Sequence, residues 1–301
     1  MNRPALALAG CTTIGQRLLE HLPPQGFAID AVICPSPEMA QRLNISGYVD
    51  LAPLARGHGI EVYRPEKYTL KHANDLEFFA SQKFDVLLPG GWQRLIPDEV
   101  LATFAVGSLG VHGSSDRLPK GRGRSPLNWS LIEGRRRCVL HLFIMKPGID
   151  DGDIIDEEWF DITPFDTIAT LYLKNAIVTE RMLARRLPEL LAGTAVVHQQ
   201  VGTPSYYAKR TPADGAIDWD EMDVWQVYNM VRALTRPYPG AFAQLDGERT
   251  TIWDACVFDT RITYPSAGYG DTVERSGEGL VVNCRGGLLL IKSWEPRSAD
   301  V

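Results

Sequence analysis

The feature that most constrains this 301-residue chain is a set of short apolar runs separated by helical segments. The run Ala5–Gly10 contains no polar side chain and ends in glycine, which is typical of a strand buried on both faces of a parallel sheet. Residues Ile14–Leu22 have helical spacing, and Ala31–Cys34 is a second apolar run. Strand, helix and strand within about thirty residues form a βαβ unit with a right-handed crossover. We therefore predict an α/β fold with a doubly wound, mostly parallel sheet, whose ligands bind beyond the carboxyl ends of the strands.

The same alternation continues toward the middle of the chain. Leu51–Arg56 and Asn74–Gln82 have helical patterns, while Glu61–Tyr63 and Phe84–Leu88 are strand-like. After Pro164 the pattern predicts one long amphipathic helix that runs to about Leu191 and stops before Gly193.

The C-terminal third has a different character, with short strand-like runs, glycine-rich joints and many aromatic residues. Such a pattern favours a small antiparallel β-barrel of the OB type. We predict a catalytic domain over residues 1–195 and a smaller OB-like β-barrel domain over residues 196–301. The predicted elements of this second part are strands at Thr250–Trp253, Gly279–Val282 and Leu288–Ile291 and a helix at Val224–Leu234.

Composition excludes several classes of function. The net charge of −6 favours neither nucleic acid nor an anionic membrane as a partner. Five cysteines are scattered without a CxxC spacing, which argues against a disulfide framework and against a zinc site. Neither a signal sequence nor an apolar run of about 20 residues is present. We expect a soluble cytoplasmic protein without a metal.

Two polar sites stand out against this background. His112 comes after an apolar run and opens a loop rich in glycine, and Asp150 lies in an acidic turn after another apolar run. A lone histidine is usually structural and a single turn carboxylate is usually solvated, but two such groups at neighbouring strand ends form a minimal acid/base pair. His141, on an alternating apolar strand, is interpreted as structural.

Other candidates admit two interpretations. The basic loop residues Lys120, Arg122 and Arg124 either form a solvated edge or bind an anionic group. The segment 10–15 lacks the G-x-G-x-x-G spacing and a Walker lysine, so it is first of all a tight turn between strand and helix. Trp92 either covers a flat heterocycle or packs against the sheet.

Taken together, the motifs resemble those of the folate-dependent formyltransferases, which use 10-formyltetrahydrofolate and include methionyl-tRNA formyltransferase and the sugar-nucleotide N-formyltransferases. The resemblance covers nearly the whole chain. The motifs are His112-Gly113-Ser114, Leu118-Pro119-x-Gly121-Arg122-Gly123, Gly148-Ile149-Asp150-Asp151-Gly152-Asp153-Ile154-Ile155, Tyr207-Ala208-Lys209, Ile217-Asp218-Trp219 and Val231-Arg232-Ala233.

Within that family, Arg124–Trp129 and Thr235–Ala241 are similar to the sugar-nucleotide enzymes, particularly the aminoarabinose type. Charge agrees, because residues from Val201 onward hold 10 Lys and Arg against 14 Asp and Glu, whereas a tRNA-binding domain should be basic. The resemblance implies transfer of a formyl group to a nucleotide-linked amino sugar in lipopolysaccharide or O-antigen synthesis. The alternatives are another amine, such as methionyl-tRNA or a secondary-metabolite precursor, and a degenerate protein that only binds folate or nucleotide. A homodimer is left open.

The resemblance also implies residue roles. His112 polarises the formyl carbonyl, and Asp150 accepts the amine proton or relays it through water and holds His112 in a useful protonation state. The residues implied to bind the folate are Gly91, Trp92, Gln93, Leu95, Ile96, Val139, Gly148 and Ile149. The residues implied to bind the acceptor substrate are Gly10, Thr12, Thr13, Ser114, Lys120, Arg122 and Arg124.

Two departures from the family pattern concern the catalytic loop. Family members have an asparagine two residues before the histidine, and this chain has Gly110. Loss of one oxyanion donor typically costs about 10²–10³ in rate. The segment between His112 and Pro119 is also two residues longer than usual. Either Ser114 or Ser115 replaces the missing donor, or the site is weak or repurposed.

Overall fold

A computed structural model describes residues 3–297 of the chain. Its strands begin and end close to the apolar runs, and Glu61–Tyr63 coincides with its prediction. The strands are β1 Leu6–Gly10, β2 Ile29–Ile33, β3 Glu61–Tyr63, β4 Val86–Gly90, β5 Gly107–Ser114, β6 Arg122–Gly123, β7 Arg137–Ile144, β8 Ile154–Asp161, β9 Tyr206–Tyr207, β10 Ala241–Leu245, β11 Glu248–Asp259, β12 Thr272–Ser276, β13 Gly279–Cys284 and β14 Gly287–Pro296.

The helices follow the amphipathic segments, and the predicted helix Val224–Leu234 coincides with the observed one. The long helix begins at Ile168 rather than at Pro164, because the Asp166 carboxylate accepts hydrogen bonds from Thr163 and Thr170 in a turn before it. The helices are α1 Thr13–His21, α2 Pro37–Arg42, α3 Ala52–Gly57, α4 Ala73–Ser81, α5 Asp98–Leu101, α6 Pro126–Ile132, α7 Ile168–Leu191 and α8 Val224–Leu234.

The described chain forms two compact units. The first comprises the chain up to Gly123 with Val139–Phe160 and Tyr172–Tyr206. The second comprises Arg124–Cys138, Asp161–Leu171 and the chain from Tyr207 onward. The division into residues 1–195 and 196–301 stays a prediction.

The first unit is built on a seven-stranded sheet in the order β3-β2-β1-β4-β5-β7-β8. The strands from β3 to β5 are parallel, and β7 runs antiparallel to β5. Buried leucine and valine side chains of β1 and β4 pack against the apolar faces of helices α1 and α7, which is the expected core of a sheet covered by helices. The predicted α/β fold class is confirmed.

The carboxyl ends of β1 and β4 approach each other closely, and this approach requires glycine. A Cβ atom on Gly10 would lie 1.9 Å from the Gly90 carbonyl oxygen, and one on Gly91, where φ is +87°, would lie 2.0 Å from Thr12 Oγ1. These glycines therefore shape the crevice at which a doubly wound sheet binds ligands.

The second unit contains a five-stranded antiparallel sheet in the order β10-β11-β14-β13-β12, together with α8. This agrees with the β-rich module predicted for the C-terminal part. The pairings among described residues give an open order, and closure of this sheet into a barrel stays a prediction.

Candidate active site

His112 lies within strand β5 and not, as predicted, after its end. The antiparallel ladder continues past it, pairing His112 with His141 and Ser114 with Val139. His112 is only 6% exposed. Its ring is therefore held on a rigid strand pair, which fixes its direction better than a loop would.

Both ring nitrogens of His112 face oxygen atoms. Nδ1 lies 3.3 Å from Asp150 Oδ2, and Nε2 lies 2.7 Å from the Gly121 carbonyl oxygen. A carbonyl oxygen only accepts, so Nε2 carries a hydrogen in this arrangement. The structure thus brings together the two residues predicted to be catalytic.

Asp150 is held in an unusual backbone conformation. Its φ is +50°, in the left-handed region that non-glycine residues rarely adopt, and such residues cluster at functional sites. Its Oδ2 atom also accepts a hydrogen bond from the Gly123 backbone N–H at 3.1 Å. The carboxylate remains 22% exposed, so it is oriented by the protein and still open to a proton donor.

The backbone of the loop 118–123 completes this arrangement. Gly121 supplies the carbonyl that meets His112, and Gly123 supplies the N–H that meets Asp150. Both glycines have positive φ, +70° and +99°, which permits a carbonyl and an N–H to point to the same side within three residues. The sequence shows these glycines, but only the structure shows that their backbone atoms contact the two side chains.

The position of the missing asparagine is filled by an aromatic ring. Gly110 pairs with Phe143 across β5 and β7, and a Cβ atom on Gly110 would lie 2.5 Å from Phe143 Cζ and 3.0 Å from Met145 Cγ. Phe143 is 5% exposed, so its ring has little room to move. Glycine at 110 and phenylalanine at 143 are therefore a matched pair, a relationship invisible without the strand register.

In the longer loop after His112, the Ser114 hydroxyl forms its hydrogen bonds within the loop itself. Ser114 Oγ donates to the Asp116 carbonyl at 2.6 Å and accepts from the Asp116 N–H at 3.2 Å. Ser115 lies further out and lines a surface cleft. Replacement of the lost donor by either serine stays a prediction.

Among the residues predicted to bind folate, Leu95 and Ile96 line a cavity of about 430 Å³. Pro147, which precedes Gly148 and the exposed Ile149, lines the same cavity. The structure therefore brings the loop after β4 close to the start of the turn that carries Asp150, and folate binding by these residues stays a prediction.

Three further residues of this set lie in other surroundings. Trp92 packs against Tyr68 with ring centroids 4.6 Å apart, and Gln93 donates through its side chain to the Ser46 carbonyl. Val139 is fully buried in β7.

Of the residues predicted to bind the acceptor, Gly10, Thr12 and Thr13 lie at the junction of β1 and α1. Thr12 caps α1 by accepting from the Ile14 N–H and donates to the Gly90 carbonyl, each at 3.3 Å. The interpretation of this segment as a tight turn fits these contacts, and Thr13 remains exposed.

The three basic loop residues lie in three different environments. Arg122 is buried and donates through Nε and Nη2 to Gln200 Oε1 at 3.2 and 2.5 Å. Lys120 is exposed and lines a cleft of about 480 Å³ with Arg117 and Trp159. Arg124 is exposed in the second unit, where its N–H donates to the Tyr207 carbonyl at 3.4 Å.

Within residues 3–297, no group of three or more His, Cys, Asp or Glu side chains is placed to hold a metal ion. In the same range, no helix has both the length and the apolar character needed to cross a bilayer. The expectation that no metal takes part stays a prediction.

Comparison with known proteins places this geometry in context. Residues 12–187 match the family model described as formyl transferase, and residues 209–300 match that of the formyl transferase C-terminal domain.

Among solved structures, an N-formyltransferase from Helicobacter canadensis in complex with folinic acid and dTDP-3-aminofucose is 18% identical, with a TM-score of 0.69 over 96% of this chain and 99% of that chain. Methionyl-tRNA formyltransferase from Clostridium thermocellum is 17% identical, with a TM-score of 0.58 over 97% of this chain and 100% of that chain.

HypX from Aquifex aeolicus in complex with tetrahydrofolic acid is 17% identical, with a TM-score of 0.68 over 99% of this chain. The present chain spans only 45% of HypX. At these identities the solved structures support the shared fold alone. The two family models cover most of the sequence between them and include both predicted catalytic residues. On that evidence the chain belongs to the formyl transferase family.

Proposed function

We propose that this protein transfers a formyl group from 10-formyltetrahydrofolate to the amine of a nucleotide-linked amino sugar in the cytoplasm, as a step in surface-polysaccharide synthesis. The observation that carries the proposal is the His112–Asp150 pair, joined at 3.3 Å on a buried strand and a constrained turn. A hydrogen-bond donor beside a carboxylate is the minimum that acyl transfer to an amine needs.

In the proposed reaction the acceptor amine attacks the formyl carbon, and a C–N bond forms as the carbonyl oxygen gains negative charge. His112 Nε2–H donates a hydrogen bond to that oxygen, and Asp150 takes the proton that the amine loses, directly or through one water. Collapse of the tetrahedral intermediate breaks the bond between the formyl carbon and the donor nitrogen, and that nitrogen receives the proton that Asp150 took from the amine. Every atom is thereby accounted for without a metal or an oxidant.

The residues present fit a folate. The cavity beside Leu95 and Ile96 is lined by apolar side chains and by the charged residues Lys71, Asp98 and Glu99. The nearby turn holds a buried carboxylate oxygen, Asp151 Oδ1, without a hydrogen-bond partner among the described residues. A heterocycle with N–H groups would satisfy such an acceptor, because buried polar atoms are nearly always paired. The folate supplies the formyl group, and these residues would hold its ring system.

Productive binding requires one local change. The Gly121 carbonyl oxygen accepts the hydrogen bond from His112 Nε2 at 2.7 Å, so the formyl oxygen must replace it there. Positive φ at Gly121 and Gly123 allows the loop to adjust more easily than other residues would.

The nucleotide part of the substrate is proposed to lie in the cleft beside Lys120. The cleft is lined by two cations, Lys120 and Arg117, and by the partly exposed indole of Trp159, and a diphosphate with an attached base needs both kinds of group. Arg117 also pairs with Glu157 at 2.6 Å, so Lys120 is the principal cation proposed for the phosphates. The net negative charge from Val201 onward supports a small substrate over tRNA.

The test is a transfer assay with 10-formyltetrahydrofolate and a panel of amines: nucleotide-linked amino sugars, the free amino sugars and methionyl-tRNA. We expect the nucleotide-linked sugars to be formylated with the lowest KM. Lys120→Ala should raise that KM about tenfold, the loss of roughly one charge-assisted contact, and should leave the KM of the free sugar unchanged.

Lys83→Ala, at another exposed lysine, is the matched control and should behave as wild type. Preferred formylation of methionyl-tRNA would replace the proposed substrate. Tight folate binding by calorimetry with no turnover on any amine would identify a binding protein instead.

A further inference from the structure

Gln200 lies outside every motif noted in the sequence, yet its side-chain amide connects the two halves of the candidate site. Its Nε2 donates to the Asp150 carbonyl at 2.7 Å and to the Gly152 carbonyl at 2.9 Å. Its Oε1 accepts from Arg122 Nη2 at 2.5 Å and from Arg122 Nε at 3.2 Å. Both donor hydrogens of the amide and its acceptor are therefore used.

The first two bonds hold the turn that carries Asp150. The Asp150 and Gly152 carbonyls are bonded to one nitrogen, which fixes the backbone on the C-terminal side of the left-handed Asp150. On its other side the turn has no room, because a Cβ atom on Gly152 would lie 1.7 Å from the Ile144 carbonyl oxygen. The direction of the Asp150 carboxylate is set between these two restraints.

The other two bonds hold the loop that contacts the pair. Arg122 lies between Gly121, whose carbonyl meets His112, and Gly123, whose N–H meets Asp150. The buried Arg122 guanidinium is bound to Gln200, and Tyr206 Oη lies 3.5 Å from its Nη1. Gln200 is consequently hydrogen-bonded both to Arg122 in the loop and to the turn that carries Asp150.

We infer that Gln200, through Arg122, is a positioning residue that sets the His112–Asp150 geometry for formyl transfer. The inference rests on the proposed function. Gln200 touches neither reacting group, and it acts by fixing the backbone on both sides of them. A displacement of about 1 Å at such a pair can cost about 100-fold in rate.

The sharpest test is Gln200→Glu, which keeps the shape and the acceptor for Arg122. It places a carboxylate oxygen against two carbonyl oxygens, so it removes two hydrogen bonds and adds repulsion. Gln199→Glu is the matched control, since it makes the same charge change at the exposed neighbouring residue.

We expect Gln200→Glu to lower kcat about 100-fold while the KM values for folate and amine change less than threefold, with Gln199→Glu at the wild-type level. Wild-type kcat in Gln200→Glu would overturn the inference. A parallel loss of kcat, substrate affinity and melting temperature would also overturn it, because that pattern marks a general structural role.

A second measurement separates this inference from the proposed function. The ring ¹⁵N and ¹H resonances of His112 report its hydrogen bonds whether or not the protein turns over any amine. We expect Gln200→Glu to shift them and Gln199→Glu to leave them in place. Unshifted resonances in Gln200→Glu would overturn the inference even in an inactive protein. Wild-type inactivity with shifted resonances would instead reject the function and keep the positioning role.

Discussion

His112 and His141 stand opposite each other on strands β5 and β7, at the same step of one antiparallel ladder. Both rings are buried, but their surroundings differ. His141 Nε2 accepts a hydrogen bond from the Leu118 N–H at 3.4 Å and lies 3.7 Å from Glu157 Oε2, and its Nδ1 has no hydrogen-bond partner among the described residues. His112 has an oxygen acceptor at each ring nitrogen.

The difference shows that burial alone does not distinguish His112, which we propose to be catalytic, from His141. His141 supports the start of the loop at Leu118, whereas His112 meets the same loop three residues later at Gly121. Burial lowers the pKa of His141 to about 4, so this ring is neutral near pH 7 and serves as an acceptor. The oxygen atoms around His112 make its ring a donor, which is what a developing oxyanion needs.

The largest expected effect is on the rate of formyl transfer, and it separates the two histidines. His112→Asn should lower kcat/KM for formyl transfer about 10³-fold, because it removes a donor aimed at the oxyanion, with a small change in stability. His141→Gln should do the opposite, lowering stability while the folded protein keeps its activity within about tenfold. Steady-state kinetics and urea unfolding of both variants check this, and a fully active His112→Asn protein would disprove the catalytic assignment.

The second effect concerns pH and stability. The folded-state pKa of His141 lies near 4, below its ordinary value of 6.5, so the unfolded chain binds a proton there more readily. Stability is fully present above about pH 6.5 and falls as pH drops toward 4, by about 3 kcal/mol in total for this group.

Three ionisable groups lie near His141. The electrostatic effects of His112 and Arg117 lower its pKa further, and Glu157 lies beside its Nε2. Urea unfolding across pH 4 to 7.5 should therefore show a steeper loss in wild type than in His141→Gln. Parallel curves for the two proteins would mean that His141 titrates normally.

The sequence analysis singled out His112, but it did not predict which residues contact it. The α/β class could be predicted because buried strands appear as apolar runs in the sequence. His112 and Asp150 could be proposed as site residues because each is a polar residue that follows an apolar run and lies beside glycines. The end of β5 was placed too early, since the ladder to β7 depends on residues thirty positions away. Gly121 and Gly123 lie in a sequence motif, but the contacts of their backbone atoms with His112 and Asp150 could not be predicted from it. Gln200 acts through its amide and lies in no motif.

The smallest effect tests a pair two steps along the same ladder, where Gly110 faces Phe143. Gly110→Asn should destabilise the fold by about 1–3 kcal/mol, because its Cβ meets the buried ring, and it should not raise the rate. Gly110→Ala is the control that shares the clash without the amide. In a double-mutant cycle, Phe143→Ala should cost less stability in the Asn background than in wild type, because the clash disappears with the ring. Wild-type stability together with a large rate gain in Gly110→Asn alone would show that the ring moves aside freely and that the native site lacks a donor. The expected outcome instead means that packing against Phe143 excludes an asparagine at position 110 of this chain.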